Sequence, residues 1–175
     1  MNAISRPIAL TSALDAMLAD IARATSAEAA LRHRAVAAAI APYLGNPGLL
    51  AGRDCPCNPQ RYCRHLLFND PQAGYAVIAI VWTPGQMSPV HAHRTWCAFG
   101  VHRGWLAETY FERKGDIVTP TNCTPSGPGR TGCAAADPDT IHRLANLGTE
   151  EAVSIHVYGV GFDDFGTGVN EVYAA

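Results

Sequence analysis

From Tyr62 onward the chain is cut into short apolar-rich runs by turn dipeptides at Pro84-Gly85, Arg103-Gly104, Lys114-Gly115 and Leu147-Gly148. Runs this short, closed this regularly, fit strands better than core helices. They fall at 62–68, 75–83, 88–93, 96–103, 105–113, 116–119, 131–136, 141–146 and 152–159. Many short strands with turn punctuation predict a β-sandwich or barrel. Residues 120–130 (PTNCTPSGPGR) read as a polar loop, and the tail 160–175 shows three glycines and little pattern.

The N-terminal third has a different texture. Leu14, Met17, Leu18 and Ile21 recur at three- and four-residue spacing, and Ser12-x-x-Asp15 resembles a capping box. A second Ala-rich helix is expected over roughly 26–43, with Leu31, Val36, Ile40 and Leu44 on one stripe and Pro47-Gly48 closing it. Residues 45–61 read as a loop. The expected layout is therefore one domain over 1–175: a helical cap at 1–45 packed outside a β-barrel at 60–160.

With 48% hydrophobic residues the chain can bury a sizeable core. A formal charge of -2 with mixed signs gives no sign of a nucleic-acid or membrane surface. No apolar run approaches the ~18 residues of a membrane-spanning helix. The first residues lack the pattern of a secretory signal. The six cysteines (55, 57, 63, 97, 123, 133) are accordingly read as reduced thiols of a cytoplasmic protein. Cys55, Cys57 and Cys63 fit no standard zinc spacing. The oligomeric state is left open.

The chemistry is concentrated in three histidines. His91 and His93, separated by one residue on an extended segment, project from the same face of a strand. His142, on a later strand, could complete a set of three neutral nitrogens around one metal. Such a set leaves coordination positions open, which suits chemistry rather than scaffolding. Ser154, His156 and Tyr158 alternate and so share one strand face. That face is either a hydrogen-bonded relay turned inward or the solvent side of a strand whose Val153, Ile155 and Val157 fill the core.

From Gly85 to Gly104 the chain reads G-x5-H-x-H-x3-C-x6-G, and His142-Arg143-Leu144-Ala145-Asn146 reads H-x3-N. These resemble the two cupin motifs, with Cys97 where many cupins place a metal-binding glutamate, and with Asp137 and Asp139 where the second motif has proline and glycine. Four segments narrow the resemblance to the cysteine dioxygenase family of thiol dioxygenases. They are Tyr62-Cys63-Arg64-His65-Leu66-Leu67, Val81-Trp82-x-Pro-Gly85, His142-Arg143-x-x-Asn146 and Ser154-x-His156-x-Tyr158. The resemblance spans roughly residues 60–160.

The resemblance implies a cupin double-stranded β-helix (jelly-roll) barrel and an Fe(II) site held by His91, His93 and His142. It implies addition of both atoms of O2 to a thiol, giving a sulfinic acid. It further implies a Ser154–His156–Tyr158 relay near the metal and a substrate carboxylate bound by Arg64. A guanidinium grips a carboxylate bidentately; otherwise Arg64 is a surface arginine, since its strand leaves either face open. Tyr62 either assists the carboxylate or packs. Cys97 matches the position at which some members cross-link cysteine to the relay tyrosine, so it is either a thioether partner of Tyr158 or a small core thiol. Trp82, Trp96 and Phe99 are expected in the barrel wall, His102 and Arg103 at an exposed turn, and His33 and His65 away from the metal.

The substrate signals conflict. Arg64 and Cys97 resemble L-cysteine-using members, whereas Thr95-Trp96 and Tyr158-Gly159-Val160-Gly161 look more like the 3-mercaptopropionate dioxygenases. L-cysteine ranks first, because the arginine would touch the substrate. Two other readings compete: a cupin oxygenase or isomerase with another metal and a non-thiol substrate, and a non-catalytic metal-binding cupin that senses a small molecule.

Overall fold

The computed structural model describes residues 12–174; the first eleven residues of the expected helical cap lie outside that range. Helix α1 (Ala13–Thr25) is followed by α2 (Arg32–Ile40) and a 3-10 turn at Ala41–Tyr43. Ten strands follow: β1 (Cys63–Asp70), β2 (Tyr75–Trp82), β3 (Val90–His93), β4 (Cys97–Arg103), β5 (Leu106–Lys114), β6 (Ile117–Ser126), β7 (Thr131–Ala134), β8 (Asp137–Ala145), β9 (Ala152–Tyr158) and β10 (Asn170–Tyr173). A short helix, α3 (Phe165–Gly168), precedes the last strand.

The strands form two five-stranded sheets, ordered β1-β2-β9-β4-β7 and β10-β3-β8-β5-β6. The pairs β2·β9, β3·β8, β4·β7 and β5·β6 are all antiparallel and fall alternately in the two sheets. One long antiparallel ribbon is thus wound back and forth between the sheets, which is a double-stranded β-helix. The cupin fold with outer N-terminal helices is therefore the fold of this chain.

The capping box forms as expected. Ser12 Oγ accepts from Asp15 N–H at 3.1 Å, and Ser12 N–H donates to Asp15 Oδ2 at 3.3 Å. Leu14, Met17 and Ile21 of α1 join Val36 and Ile40 of α2 in one apolar cluster with Val77, Ala79, Ala98, Ile155 and Val157 of the first sheet. The helices thereby cover one face of that sheet, which explains why β2 and β9 are buried on both faces. Strand alternation alone would have left Val153, Ile155 and Val157 or their neighbours in water.

Three expectations need correction. The segment 120–130 is a loop only from Gly127 to Arg130: β6 runs through Ser126 and pairs with β5. It is an edge strand, mostly exposed, so its polar residues and prolines break no internal ladder. The second helix starts at Arg32, not near 26, and Leu31 is exposed. His102 is buried, not exposed, and its Nδ1 accepts the Gly45 N–H at 3.3 Å. The tail, which carries no readable sequence pattern, supplies β10, which pairs with β3 beside the histidine pair.

Candidate metal centre

Strand register brings the three histidines together. His91 and His142 are direct partners across β3 and β8, and the register then shifts along β8 so that His93 pairs with Asp137. His91 Nε2 lies 3.1 Å from His93 Nε2, and His142 Nε2 lies 3.5 Å from the same atom. His91, His93 and His142 form the metal-capable cluster found among the described residues, and all three are buried. Cys55, Cys57 and Cys63 form none, and all six cysteines are free thiols.

The turn that delivers β3 is tied to β8 by Asn146, the last residue of the H-x3-N motif. Its amide donates to the carbonyls of Trp82 at 2.9 Å and Glu150 at 2.8 Å, while its backbone exchanges bonds with Gln86 and Gly85. Gly104, the last motif glycine, has φ +70, and a Cβ there would meet Glu151 O at 2.6 Å.

Two of the three imidazoles have their tautomer set from behind. His91 Nδ1–H donates to Pro89 O at 3.0 Å, and His142 Nδ1–H donates to Glu108 Oε1 at 2.8 Å. Their Nε2 lone pairs then face the cluster. Burial, and next the neighbouring His142, push His91 down to about 4 and His93 down to about 2, so both are neutral at pH 7. Three converging lone pairs repel one another unless a cation lies between them. Imidazole–metal bonds of about 2.0–2.1 Å at right or tetrahedral angles would hold the nitrogens about 2.8–3.4 Å apart. The two separations seen, 3.1 and 3.5 Å, lie in or close to that range.

A second chain of polar groups runs along β9, whose residues are all buried. Trp82 Nε1–H donates to Ser154 Oγ at 2.9 Å, Ser154 Oγ lies 2.8 Å from His156 Nε2, and His156 Nδ1 lies 3.2 Å from the Tyr158 hydroxyl. Because Ser154 accepts from the indole, its own proton is free to go to His156 Nε2. His156 then donates from Nδ1 to Tyr158, and the phenol proton is left for the cavity. Burial first, and then the Arg64 charge, push His156 down to about 3. Burial drives the Tyr158 phenol well above its usual range. The ring of His156 is stacked on Phe99 at 5.4 Å.

The three clustered histidines, His156, Tyr158 and Arg64 line one cavity of about 20 Å³, with Tyr62, Trp82, Cys97 and Phe99. Such a space admits compact ligands only. Arg64 Nη2 donates to Tyr62 Oη at 3.0 Å, and the Tyr62 ring stacks on Trp82 at 4.6 Å. Cys97 is the direct strand partner of Tyr158, and both are buried.

Sequence reading misses three residues here. It places Trp82 only as wall, yet this side chain holds both the relay and Tyr62. It passes over Glu108, although alternation with Leu106 on β5 marks a carboxylate turned inward beside the third histidine. Asn170 lines the same cavity from β10, with its carboxamide oxygen buried and unpartnered among the described residues; nothing in the tail points to it. His33 and His65 stand outside the cluster, as expected.

The chain is similar in shape to several solved structures. These include TT1209 from Thermus thermophilus (18% identity, 59% of this chain and 88% of that one, TM-score 0.48). A protein with a double-stranded β-helix domain from Klebsiella pneumoniae also matches (20% identity, 69% and 90%, TM-score 0.45). So does an RmlC-like cupin from Desulfovibrio desulfuricans (22% identity, 62% and 92%, TM-score 0.41). The sequence profile of the family described as cysteine dioxygenase type I matches residues 5–166, which includes both N-terminal helices. With that match over most of its length, the chain belongs to the cysteine dioxygenase type I family.

Proposed function

We propose that this protein is a non-heme Fe(II) thiol dioxygenase that adds both atoms of O2 to the sulfur of a small carboxylated thiol, L-cysteine first. The observation that carries this reading is the convergence on one small cavity of a three-histidine cluster, an arginine and a buried Ser–His–Tyr chain.

Each group has a role in that reading. His91, His93 and His142 would hold the ion. Fe(II), when bound there, supplies open positions for thiolate and O2 and the redox change that joins them. Arg64, steadied by Tyr62, would take the substrate carboxylate. Tyr158 would present its hydroxyl to the reacting sulfur or oxygen, oriented by His156 and Ser154. A Cys97–Tyr158 thioether is consistent with their pairing across β4 and β9.

A second reading, 3-mercaptopropionate as substrate, draws on the packing of Trp96 over Gly159. A Cβ at Gly159 would lie 2.1 Å from the indole nitrogen, and Thr95 Oγ1 donates to Gly159 O at 2.7 Å. That local arrangement belongs to the sequence features shared with mercaptopropionate-using members.

Reconstitution with Fe(II), followed by separate addition of L-cysteine, 3-mercaptopropionate, cysteamine and mercaptosuccinate, tests the proposal through O2 uptake and sulfinate detection. Sulfinate should form from a carboxylated thiol. Absence of sulfinate from all four would defeat the reading. His91→Ala should abolish iron binding, and full iron occupancy in that variant would refute the ligand assignment.

A further inference from the structure

Glu108 has no part in the thiol chemistry. It is only 7% exposed and is the one carboxylate in the buried set among the described residues. Burying a carboxylate is costly unless it is paired. Its partner is the Nδ1–H of His142, at 2.8 Å, and the other nitrogen of that ring faces the cluster. Behind the histidines it shares a second small cavity with His93, Cys97, Tyr110 and His142. Cys97, which lines both cavities, stands where many cupins have a ligating glutamate.

We propose that Glu108 is a positioning residue for the metal, returning through His142 the negative charge that the ligand set lacks at Cys97. The physical basis is the hydrogen bond. It keeps His142 in the tautomer whose Nε2 lone pair faces the ion, and it makes that nitrogen a stronger donor. The carboxylate also gives a buried counter-charge to a dication held by neutral ligands, and it favours the more highly charged ferric ion over the ferrous one. The inference rests on the metal site and is independent of the thiol chemistry.

The test is anaerobic Fe(II) titration of the full chain against a chromophoric chelator, with the Fe(III)/Fe(II) midpoint potential read on the same samples. Glu108→Gln keeps an acceptor for His142 and removes the charge; Glu108→Ala removes both. The dissociation constant should rise about 10-fold in the first and up to about 100-fold in the second, and the potential should become more positive in both. Melting of the metal-free variants checks that each folds. Wild-type affinity and potential in Glu108→Gln would overturn the charge role. Both readouts are made without thiol. A wild-type protein that binds iron but oxidises no thiol would sink the proposed activity while this inference stood on its own measurements.

Discussion

The indole N–H of Trp82 donates to Ser154 Oγ at 2.9 Å, and the same ring carries Tyr62 stacked at 4.6 Å. One side chain thus ties the relay on β9 to the Tyr62–Arg64 pair at the cavity mouth. That bond takes up one Ser154 lone pair and leaves the serine proton available to His156.

Trp82→Phe keeps most of the packing and removes that donor. The lost bond should cost about 1 kcal/mol of stability, read as a lower urea midpoint. Turnover should fall more than KM changes, since the relay loses its fixed orientation. An unchanged kcat beside a lowered midpoint would confine Trp82 to packing.

Arg64→Gln should raise KM for L-cysteine and 3-mercaptopropionate by about 10- to 150-fold, the equivalent of about 1.5–3 kcal/mol for a charge-assisted hydrogen bond. Cysteamine, which has no carboxylate, should be unaffected. Equal effects on all three thiols would place the carboxylate site elsewhere.

The metal-free protein should lose stability as the pH falls below about 6.5. Burial holds His91, His93 and His156 at about 4, 2 and 3 in the folded state, while the unfolded chain protonates them near 6.5. Between those values the unfolded state binds more protons, so stability rises with pH and drains away on acidification. The slope should approach about 1.4 kcal/mol per pH unit for each such histidine. Urea melts at pH 7.5, 6.5 and 5.5 measure it, and a flat profile would mean that these rings are not buried neutral.

A Cys97–Tyr158 thioether should form during turnover with Fe(II), thiol and O2, the O2 accepting the two electrons released as the Cys97 S–H and a Tyr158 ring C–H are lost. Tryptic mass spectrometry should find the two peptides linked, and Cys97→Ala should abolish the linked species. Only separate peptides after prolonged turnover would leave Cys97 as a core thiol.

The sequence by itself determined the parts of the site that depend on local spacing. One intervening residue sets His91 and His93 on a common face, and alternation does the same for Ser154, His156 and Tyr158. The turn glycines and Asn146 announced where the strands bend. Tertiary structure alone decided what lies across the sheets. The α1 and α2 apolar stripe covers the first sheet, so both faces of β9 are buried and the solvent-face reading of Ser154–Tyr158 is closed off. Edge position, not composition, makes the polar, proline-bearing 117–126 a strand. Glu108 reaches His142, and Asn170 the cavity, through pairings of β5 with β8 and β10 with β3, between segments far apart in the chain. Periodicity reports which residues share a face; only the closed barrel decides which faces meet.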